Sequence, residues 1–338
     1  MANKLYFALL VFVWANAFGT AQAAPTEIKF PFNVAANTLR GQSVINFGAK
    51  LKAATNGQYA VVPYPNGSLY SGSAAANAVQ LGAVQMTNAP SSAFAGYTNL
   101  VGLLEIPFAW QDRAGFQRFI DGSSGEVLLK ALSAKGFSGL ALMDEGPMVI
   151  ATKSKVIKSP LDLKGLRIRT SGHQVVIAAL NAMGASTVKI SLPEVYSALQ
   201  QGVIDGLYTT FMAYTKDKLY EVAPNVMLFP AHGAYIWVAS KPWFEEQPPS
   251  VRADIRKFSH QQASEYFDAV WGKLKNYVRN VQKHGGEYYE PDKQSVAAFR
   301  DAIRPVYARL KQEYGAKVID SILEGKPIVS QDLVALKQ

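Results

Sequence analysis

Apolar and polar residues in the first third of the chain follow patterns typical of short strands that alternate with helices. The second strand is closed by the turn Pro65-Asn66-Gly67, and the second helix ends at Gly82. In order, the pattern predicts strand 27–34, helix 42–53, strand 59–64, helix 73–81 and strand 83–88. This order predicts parallel strand pairing and an α/β layer architecture.

A second unit with the same alternation begins near Met148. It opens on the apolar segment 149–151 and continues through the turn-rich connector 159–165 to a strand at 166–169. Helices are predicted over 173–183 and 193–201, with Gly184 and Gly202 as their stops.

One unusually long helix is predicted after the break at Pro248-Pro249. Ser250 is a good N-cap residue, and Gly285-Gly286 ends the apolar periodicity. About 34 residues at 1.5 Å each make a rod of roughly 50 Å, which exceeds the diameter of one small domain. We therefore expect this helix to run across both units.

The first residues of the chain have the three parts of a secretory signal. Lys4 supplies a positive charge, the segment 5–18 is almost entirely apolar, and Ala21-Gln22-Ala23 is a small-residue cleavage site. The alternative is a membrane anchor, but about 14 residues fall short of the roughly 20 needed to span a bilayer. Residues 1–23 are thus predicted to be a cleaved signal peptide.

The composition narrows the function classes. The chain has 338 residues, enough for two domains, and no cysteine, which excludes disulfides, thiolate metal sites and a lipid-anchored cysteine. The formal net charge is +9, but the basic residues are scattered rather than clustered. We therefore predict no nucleic acid as a partner, whereas attraction to a small anion fits this charge.

Motifs of the common enzyme classes are absent from the sequence. There is no G-x-S-x-G, G-x-x-x-x-G-K-[ST], G-x-G-x-x-G or H-E-x-x-H string. The histidines His173, His232, His260 and His284 lie far apart without metal-ligand spacing. We predict no catalytic residue, no metal site and no cofactor, although catalytic triads depend on geometry rather than on spacing.

Two strings in the second unit are more specific. Residues 162–169 read DLKGLRIR and residues 192–206 read LPEVYSALQQGVIDG. With YPNGSL at 64–69 and Ile106-Pro107-Phe108, in this order, the chain resembles the periplasmic solute receptors of tripartite ATP-independent periplasmic (TRAP) transporters, in their dicarboxylate-receptor group. The resemblance covers essentially all of residues 27–320.

This resemblance implies a two-domain periplasmic binding protein fold of the α/β class, with strands crossing the hinge and one long helix spanning both domains. Domain I would comprise residues 24–147 plus about 236–275, and domain II residues 148–235 plus about 276–338. It implies a periplasmic receptor that closes on a small organic acid anion and delivers it to the integral membrane subunits of a TRAP transporter. The alternatives are an exported enzyme acting on an organic acid, or a receptor that feeds a sensor or another importer.

Arg169 is the strongest candidate for the ligand contact. In the family, the arginine at this place pairs with the ligand carboxylate. In an extended strand Arg169 lies on the face opposite Ile168, near the strand end where α/β sheets bind ligands. Its planar guanidinium can donate two parallel hydrogen bonds to the two oxygens of a carboxylate.

Other positions depart from the family pattern. Met148 stands where many members have a second arginine, Thr209 where asparagine is common, and Pro90 where sugar-acid binders have an acidic residue. These changes predict a less polar site that favours a monocarboxylate with an apolar body, unless an arginine from elsewhere compensates. The remaining candidate ligand-binding residues are Asn33, Tyr208, Ser91, Gly172, Leu192, His232 and Tyr235.

Overall fold

A computed structural model describes residues 24–335, apart from 71, 111, 112, 191, 327 and 329. The predicted signal peptide, residues 1–23, lies outside the described residues. The strands in the described part are β1 (Thr26–Pro31), β2 (Tyr59–Tyr64), β3 (Met86–Pro90), β4 (Phe137–Asp144), β5 (Met148–Thr152), β6 (Arg167–Thr170), β7 (Ser186–Lys189), β8 (Gly206–Thr210), β9 (Asn225–Phe229), β10 (Ala234–Ser240) and β11 (Tyr288–Tyr289).

The helices of the same part surround these strands. They are α1 (Leu39–Ala54), α2 (Gly72–Gln80), α3 (Arg113–Asp121), α4 (Ser123–Ser133), α5 (Gln174–Ala182), α6 (Val195–Gln200), α7 (Phe211–Lys216), α8 (Lys241–Glu246), α9 (Pro249–Gly272), α10 (Leu274–Lys283), α11 (Lys293–Ala302), α12 (Arg304–Tyr314), α13 (Ala316–Glu324) and α14 (Ser330–Ala335). Within the described residues, none of the helices combines the length and the apolarity needed to cross a bilayer.

The strands form three sheets. β1 and β2 pair in parallel, β3, β10 and β4 form an antiparallel sheet in that order, and the third sheet has the order β11-β9-β5-β8-β6-β7. The third sheet is mixed, because β5 runs antiparallel to both β8 and β9 while β6 runs parallel to β7 and β8. The α/β class predicted from the alternation of elements is thus observed.

The loop between β1 and α1 brings polar side chains to one end of its sheet. Ile28 and Phe30 alternate inward along β1 and are fully buried. Thr38 caps α1, because its side chain accepts a hydrogen bond from the backbone N–H of Gly41. Arg40 follows in the first turn, so the capped helix fixes its position.

The predicted long helix is present but has one interruption. α9 covers 24 residues and α10 covers 10, with Lys273 as the non-helical residue between them. The helix starts two residues earlier than predicted, since Pro248 is its N-cap and Ser250 lies in the first turn. α9 packs on α1 and β4, whereas α10 packs on α7 and β11, so the segment extends from the second sheet to the third.

Besides the long helical segment from β10 to β11, two short connections carry the chain between the second and third sheets. Residues 145–147 join β4 to β5, and residues 230–233 join β9 to β10. The backbone N–H of Glu145 donates to the carbonyl of Gly233 at 2.8 Å, so the two crossings are hydrogen-bonded to each other.

The long helix is tied to the same crossing. Asp144 accepts hydrogen bonds from the indole Nε1 of Trp271 at 2.9 Å and from the backbone N–H of Gly146 at 2.8 Å. Because a buried carboxylate needs such donors, this pair of bonds holds α9 against the end of β4. Residues 144–147, 230–233 and the end of α9 together are called the hinge below.

Candidate functional site

Arg169 is buried at the end of β6, with only 4% of its surface exposed. Its Nε donates to the carbonyl of Ile190 at 2.8 Å and its Nη1 to the carbonyl of Tyr208 at 3.3 Å. Burial lowers the pKa of Arg169 to about 10, so the group stays charged at neutral pH. Among the residues that the structure describes, no carboxylate lies within 4 Å of this guanidinium.

The neighbouring Arg167 lies on the same face of the strand as Arg169 but at its exposed start. It is exposed and forms a bidentate ion pair with Asp205, from Nε at 2.9 Å and from Nη2 at 2.8 Å. The backbone N–H of Arg167 also donates to Asp205 at 2.8 Å. The aspartate of the I-D-G string therefore fastens the start of β6 to the turn before β8.

A buried ion pair lies close to Arg169. Nδ1 of His173 is 2.6 Å from Oε1 of Glu105, although the N–H direction does not suit a linear hydrogen bond, and Ser91 donates its hydroxyl to the same carboxylate oxygen. Burial alone would lower the pKa of His173, but Glu105 outweighs burial and raises it to about 9. His173 is thus a cation at neutral pH, and its pKa also responds to the charge of Arg169.

Glu145 occupies the hinge between these groups. Burial raises its pKa to about 7, the charges of His173 and Arg40 lower it, and those of Glu105 and Asp144 raise it further. The carboxyl is therefore balanced between its protonated and ionised forms near neutral pH. Sequence reasoning did not select Glu145 as a candidate.

Arg40 is a second buried arginine that sequence reasoning did not select. Its Nη2 donates to the side-chain oxygen of Asn33, and its guanidinium carbon lies 3.7 Å from the centre of the Tyr235 ring. Two of the predicted residues, Asn33 and Tyr235, therefore meet at this arginine. Pro90 is in register with Tyr235 on the neighbouring strand β3, which brings a third predicted residue to the same place.

The predicted residues of β8 lie next to Arg169, because β8 pairs with β6. Arg169 is in register with Leu207, and strand alternation puts Thr209 on the same face as Leu207. Tyr208 points to the opposite face, where its ring meets that of His173 at 6.5 Å between centroids. Met148 is buried among the apolar residues of that second face.

Three predicted residues have positions that favour support over contact. His232 stacks on Phe116 at 4.2 Å, and its Nδ1 lies 3.4 Å from Asp144, so it belongs to the hinge. Gly172 has φ +111° and directly precedes His173. Leu192 is partly buried against the core below the sheet.

Surface depressions elsewhere are weaker candidates. One of about 570 Å³ lies along α10, and another of about 260 Å³ lies between α3, the start of α4 and the residues that follow α13. Their charged residues, such as Lys275, Arg279 and Arg118, are exposed, where pairing with an anion contributes little. Within the described residues there is also no group of His, Asp and Glu side chains that could hold a metal ion.

The model of bacterial extracellular solute-binding protein family 7, DctP, matches residues 30–313. The chain belongs to this family. A curated DctP relative, the C4-dicarboxylate-binding periplasmic protein of Rhodobacter capsulatus, is 30% identical over 308 residues, which are 89% of this chain and 91% of that protein.

Two solved structures of TRAP periplasmic solute-binding proteins resemble this DctP-family chain. The one from Shewanella oneidensis, with bound succinate, has a TM-score of 0.82 at 26% identity and covers 90% of this chain and 100% of its own. The one from Pseudomonas putida F1, with bound D-glucuronate, has a TM-score of 0.80 at 28% identity, covering 88% and 96%. The predicted family and the predicted periplasmic binding protein fold are confirmed.

Proposed function

We propose that this DctP-family chain is a periplasmic receptor that binds a small organic acid through Arg169 and delivers it to the membrane subunits of a TRAP transporter. The observation that carries this proposal is the guanidinium of Arg169, which is buried, charged and without a carboxylate partner among the described residues. Removing a charge from water without pairing it is costly, and a ligand carboxylate offsets that cost.

The charges around Arg169 agree with an anionic ligand. The buried cations Arg40, Arg169 and His173 face two acids, of which Glu105 is bonded to Ser91 and Glu145 is partly protonated near neutral pH. Asp144 is engaged with Trp271 in the hinge. A carboxylate added to this cluster improves its balance of charge.

The proposed mechanism is a hinge motion between two domains. We assign residues 24–147 plus about 236–275 to domain I, and 148–235 plus about 276–338 to domain II. The assignment is supported by the crossings at 145–147 and 230–233, which separate the first two sheets from the third. A ligand that contacts both domains at once selects the closed state, because only that state supplies both sets of contacts.

Export completes the proposal. Residues 1–23 act as the signal peptide, cleaved near Ala23 and Ala24, and the relatives named above are periplasmic proteins. A receptor without catalysis also fits the site, in which the buried polar groups are cations and their counter-charges rather than a nucleophile with its base.

The test is the substitution Arg169→Met in the mature protein, residues 24–338. We expect its affinity for the organic acid to fall by about 30-fold to several thousand-fold, since losing one member of a buried charged pair costs roughly 2–5 kcal/mol. Mass spectrometry of acid retained on the purified wild type identifies the ligand, and calorimetry with that acid measures the loss.

The matched control is Arg167→Met, two residues earlier on the same strand. Arg167 is exposed and already paired with Asp205, so ligand affinity should stay within about threefold of the wild type. Full binding by the Arg169 variant, or turnover of the bound acid by the wild type, would contradict the proposed function.

A further inference from the structure

A buried ion pair connects the two proposed domains. Nδ1 of His173 lies 2.6 Å from Oε1 of Glu105, and their side chains are only 7% and 6% exposed. Glu105 lies in the segment 24–147 that we assign to domain I, whereas His173 lies in the segment 148–235 of domain II. Any motion that parts the domains at this point would separate the pair and place both groups in water, where an ion pair contributes little.

The position of His173 does not serve the helix that it precedes. His173 is the N-cap of α5, and its side chain forms no capping hydrogen bond within the described residues. N-cap positions favour Ser, Thr, Asp and Asn, and the N-terminus of a helix repels a cation. A protonated histidine at this position therefore needs a reason outside α5.

Glu105 lies at the opposite kind of helix end. It is the last residue of the 3-10 helix Asn99–Glu105, whose carbonyl end disfavours a negative charge, and it is 4% exposed. α5 packs on this short helix, so each charge stands at the unfavourable end of its own helix and is balanced by the other. Departures from local preference that compensate each other across two segments are typical of functional positions.

Two of the predicted ligand-binding residues orient this pair. Ser91 donates its hydroxyl to the same carboxylate oxygen of Glu105 that faces His173. Gly172 has φ +111°, a conformation that favours glycine, and so turns the chain after β6 toward His173. Because β6 ends at Thr170, three residues before His173, the pair also ties the strand of Arg169 to domain I.

Protonation of His173 gives the pair its attraction. Burial lowers the pKa of His173, but Glu105 and Glu145 together raise it to about 9, whereas a histidine in water titrates near 6.5. The closed arrangement therefore holds a proton that the separated arrangement releases between pH 6.5 and 9. The attraction is complete below pH 6.5 and is lost as pH rises toward 9.

Other charged and titratable groups also face the pair. They are Glu145 from the hinge, Arg169 from β6, Tyr208 from β8 and Tyr314 from α12. Burial raises the pKa of both tyrosines above the usual value, the pKa of Arg169 is about 10, and that of Glu145 is about 7. A change between pH 7.5 and 9 therefore reports mainly the titration of His173.

We propose that His173 and Glu105 form an interdomain latch, which favours the closed receptor for as long as both side chains are charged. The inference rests on the two-domain assignment of the proposed function. Both are positioning residues, because they hold the domains together rather than bind the acid. The latch can therefore be tested without knowing which acid the receptor carries.

The absence of cysteine from the chain allows specific labelling for the experiment. Lys52→Cys in α1 of domain I and Lys216→Cys in α7 of domain II replace two exposed lysines, and the two thiols carry a donor and an acceptor fluorophore. Single-molecule energy transfer on mature protein without ligand then measures the ratio of closed to open molecules. This ratio should fall about tenfold between pH 7.5 and 9, as the difference between the two pKa values of His173 requires.

Glu105→Gln and His173→Asn each leave the other residue buried without its partner. Each should lower the closed-to-open ratio at pH 7.5 at least tenfold, and the double variant should recover most of this loss, because neither partner then remains buried alone. None of the three variants should keep the pH response of the wild type. The matched control is Arg167→Met, which breaks an exposed ion pair within domain II and should keep both the ratio and its pH response.

A wild type whose ratio is the same at pH 7.5 and 9 would overturn the latch, and this measurement does not depend on any variant at the pair. A pH response that persists in the double variant, or single losses that simply add there, would show that the two residues support the fold separately. A single distance under all conditions would overturn the latch together with the hinge motion.

Acid binding separates these outcomes from the proposed function. A wild type that binds its acid, beside an Arg169→Met variant that does not, keeps the receptor function even where the latch fails. A closed-to-open ratio that follows His173 and Glu105 as expected, in a protein that binds no organic acid, would support the latch and contradict the proposed function alone.

Discussion

At the scale of single residues, the site is defined by buried ionisable groups whose pKa values are displaced by their neighbours. His173 is protonated at neutral pH because Glu105 lies 2.6 Å from its ring nitrogen. Glu145 retains its proton to about pH 7 because it is buried. Both groups bind protons more tightly in the folded protein than in the unfolded chain.

These displacements predict that stability falls as pH rises. His173 titrates near 6.5 when unfolded and near 9 when folded, so its contribution is complete below pH 6.5 and is lost as pH rises toward 9. The loss is on the order of 3 kcal/mol. Denaturant unfolding of ligand-free protein at pH 6.5, 7.5 and 9 should therefore give a steadily decreasing free energy of unfolding.

His173→Asn should flatten this dependence between pH 6.5 and 9. The exposed His260 provides a control, since His260→Asn should keep the slope of the wild type. Glu145 also lowers the free energy of unfolding as pH rises, but mainly between pH 4.5 and 7, where ionisation of the buried carboxyl destabilises the fold. An unchanged slope in His173→Asn would show that its ion pair with Glu105 does not hold the extra proton.

The sequence predicted some of these residues for a physical reason and missed others. Arg169 could be predicted because neighbouring side chains of a strand point to opposite faces, so the sequence alone puts Arg169 on the face opposite Ile168. Arg40 and Glu105 could not, because they reach the site from segments far from Arg169 in the sequence. The one local signal for Arg40 is its place in the first turn of the helix that follows Asn33.

At the scale of elements, the hinge depends on close packing between a crossing and the long helix. Gly146 has φ +87°, and a Cβ built on it would lie 2.6 Å from Cγ2 of Val270. Val270 is fully buried and branched at Cβ, so it has little freedom to move aside. Glycine at this position therefore allows both the backbone turn and the approach of α9.

Gly146→Ala should lower the free energy of unfolding by more than its backbone conformation alone requires. Gly165 gives the matched comparison, since it has φ +78° but nothing within 4 Å of its would-be Cβ. Gly165→Ala should cost about 1–2 kcal/mol for the left-handed backbone. Gly146→Ala should cost at least about 1 kcal/mol more in urea denaturation, because of overpacking.

Equal losses in the two glycine variants would show that the hinge adjusts to the added methyl group.

The same elements show why the apolar periodicity predicted one helix that is longer than either of the two observed. Apolar positions continue from Val270 to Leu274, so the pattern gave no sign of the interruption at Lys273. The local sign of the interruption is Gly272, because glycine is a weak helix former. The change of packing partner, from β4 for α9 to α7 for α10, is a tertiary effect.

At the scale of the whole molecule, the proposed domains share an extensive apolar contact. One buried cluster runs from Phe94 and Leu104 through Met148 and Ile168 to the C-terminal helices. Tyr307 and Tyr314 add hydrogen bonds from α12 to the carbonyls of Pro107 and Asn99. The sequence predicted the two units from their repeated alternation, but this contact depends on distant segments and was not foreseen.

Because the ligand is proposed to contact both domains at once, binding should change the shape of the molecule. Small-angle X-ray scattering of mature protein stripped of ligand should give a larger radius of gyration than the same protein saturated with the retained acid. Arg169→Met should keep the larger radius at the same acid concentration, whereas Arg167→Met should contract like the wild type. An identical radius with and without ligand in the wild type would mean that the apolar contact keeps the domains closed, and that the acid enters by local opening around the cleft rather than by motion at the hinge.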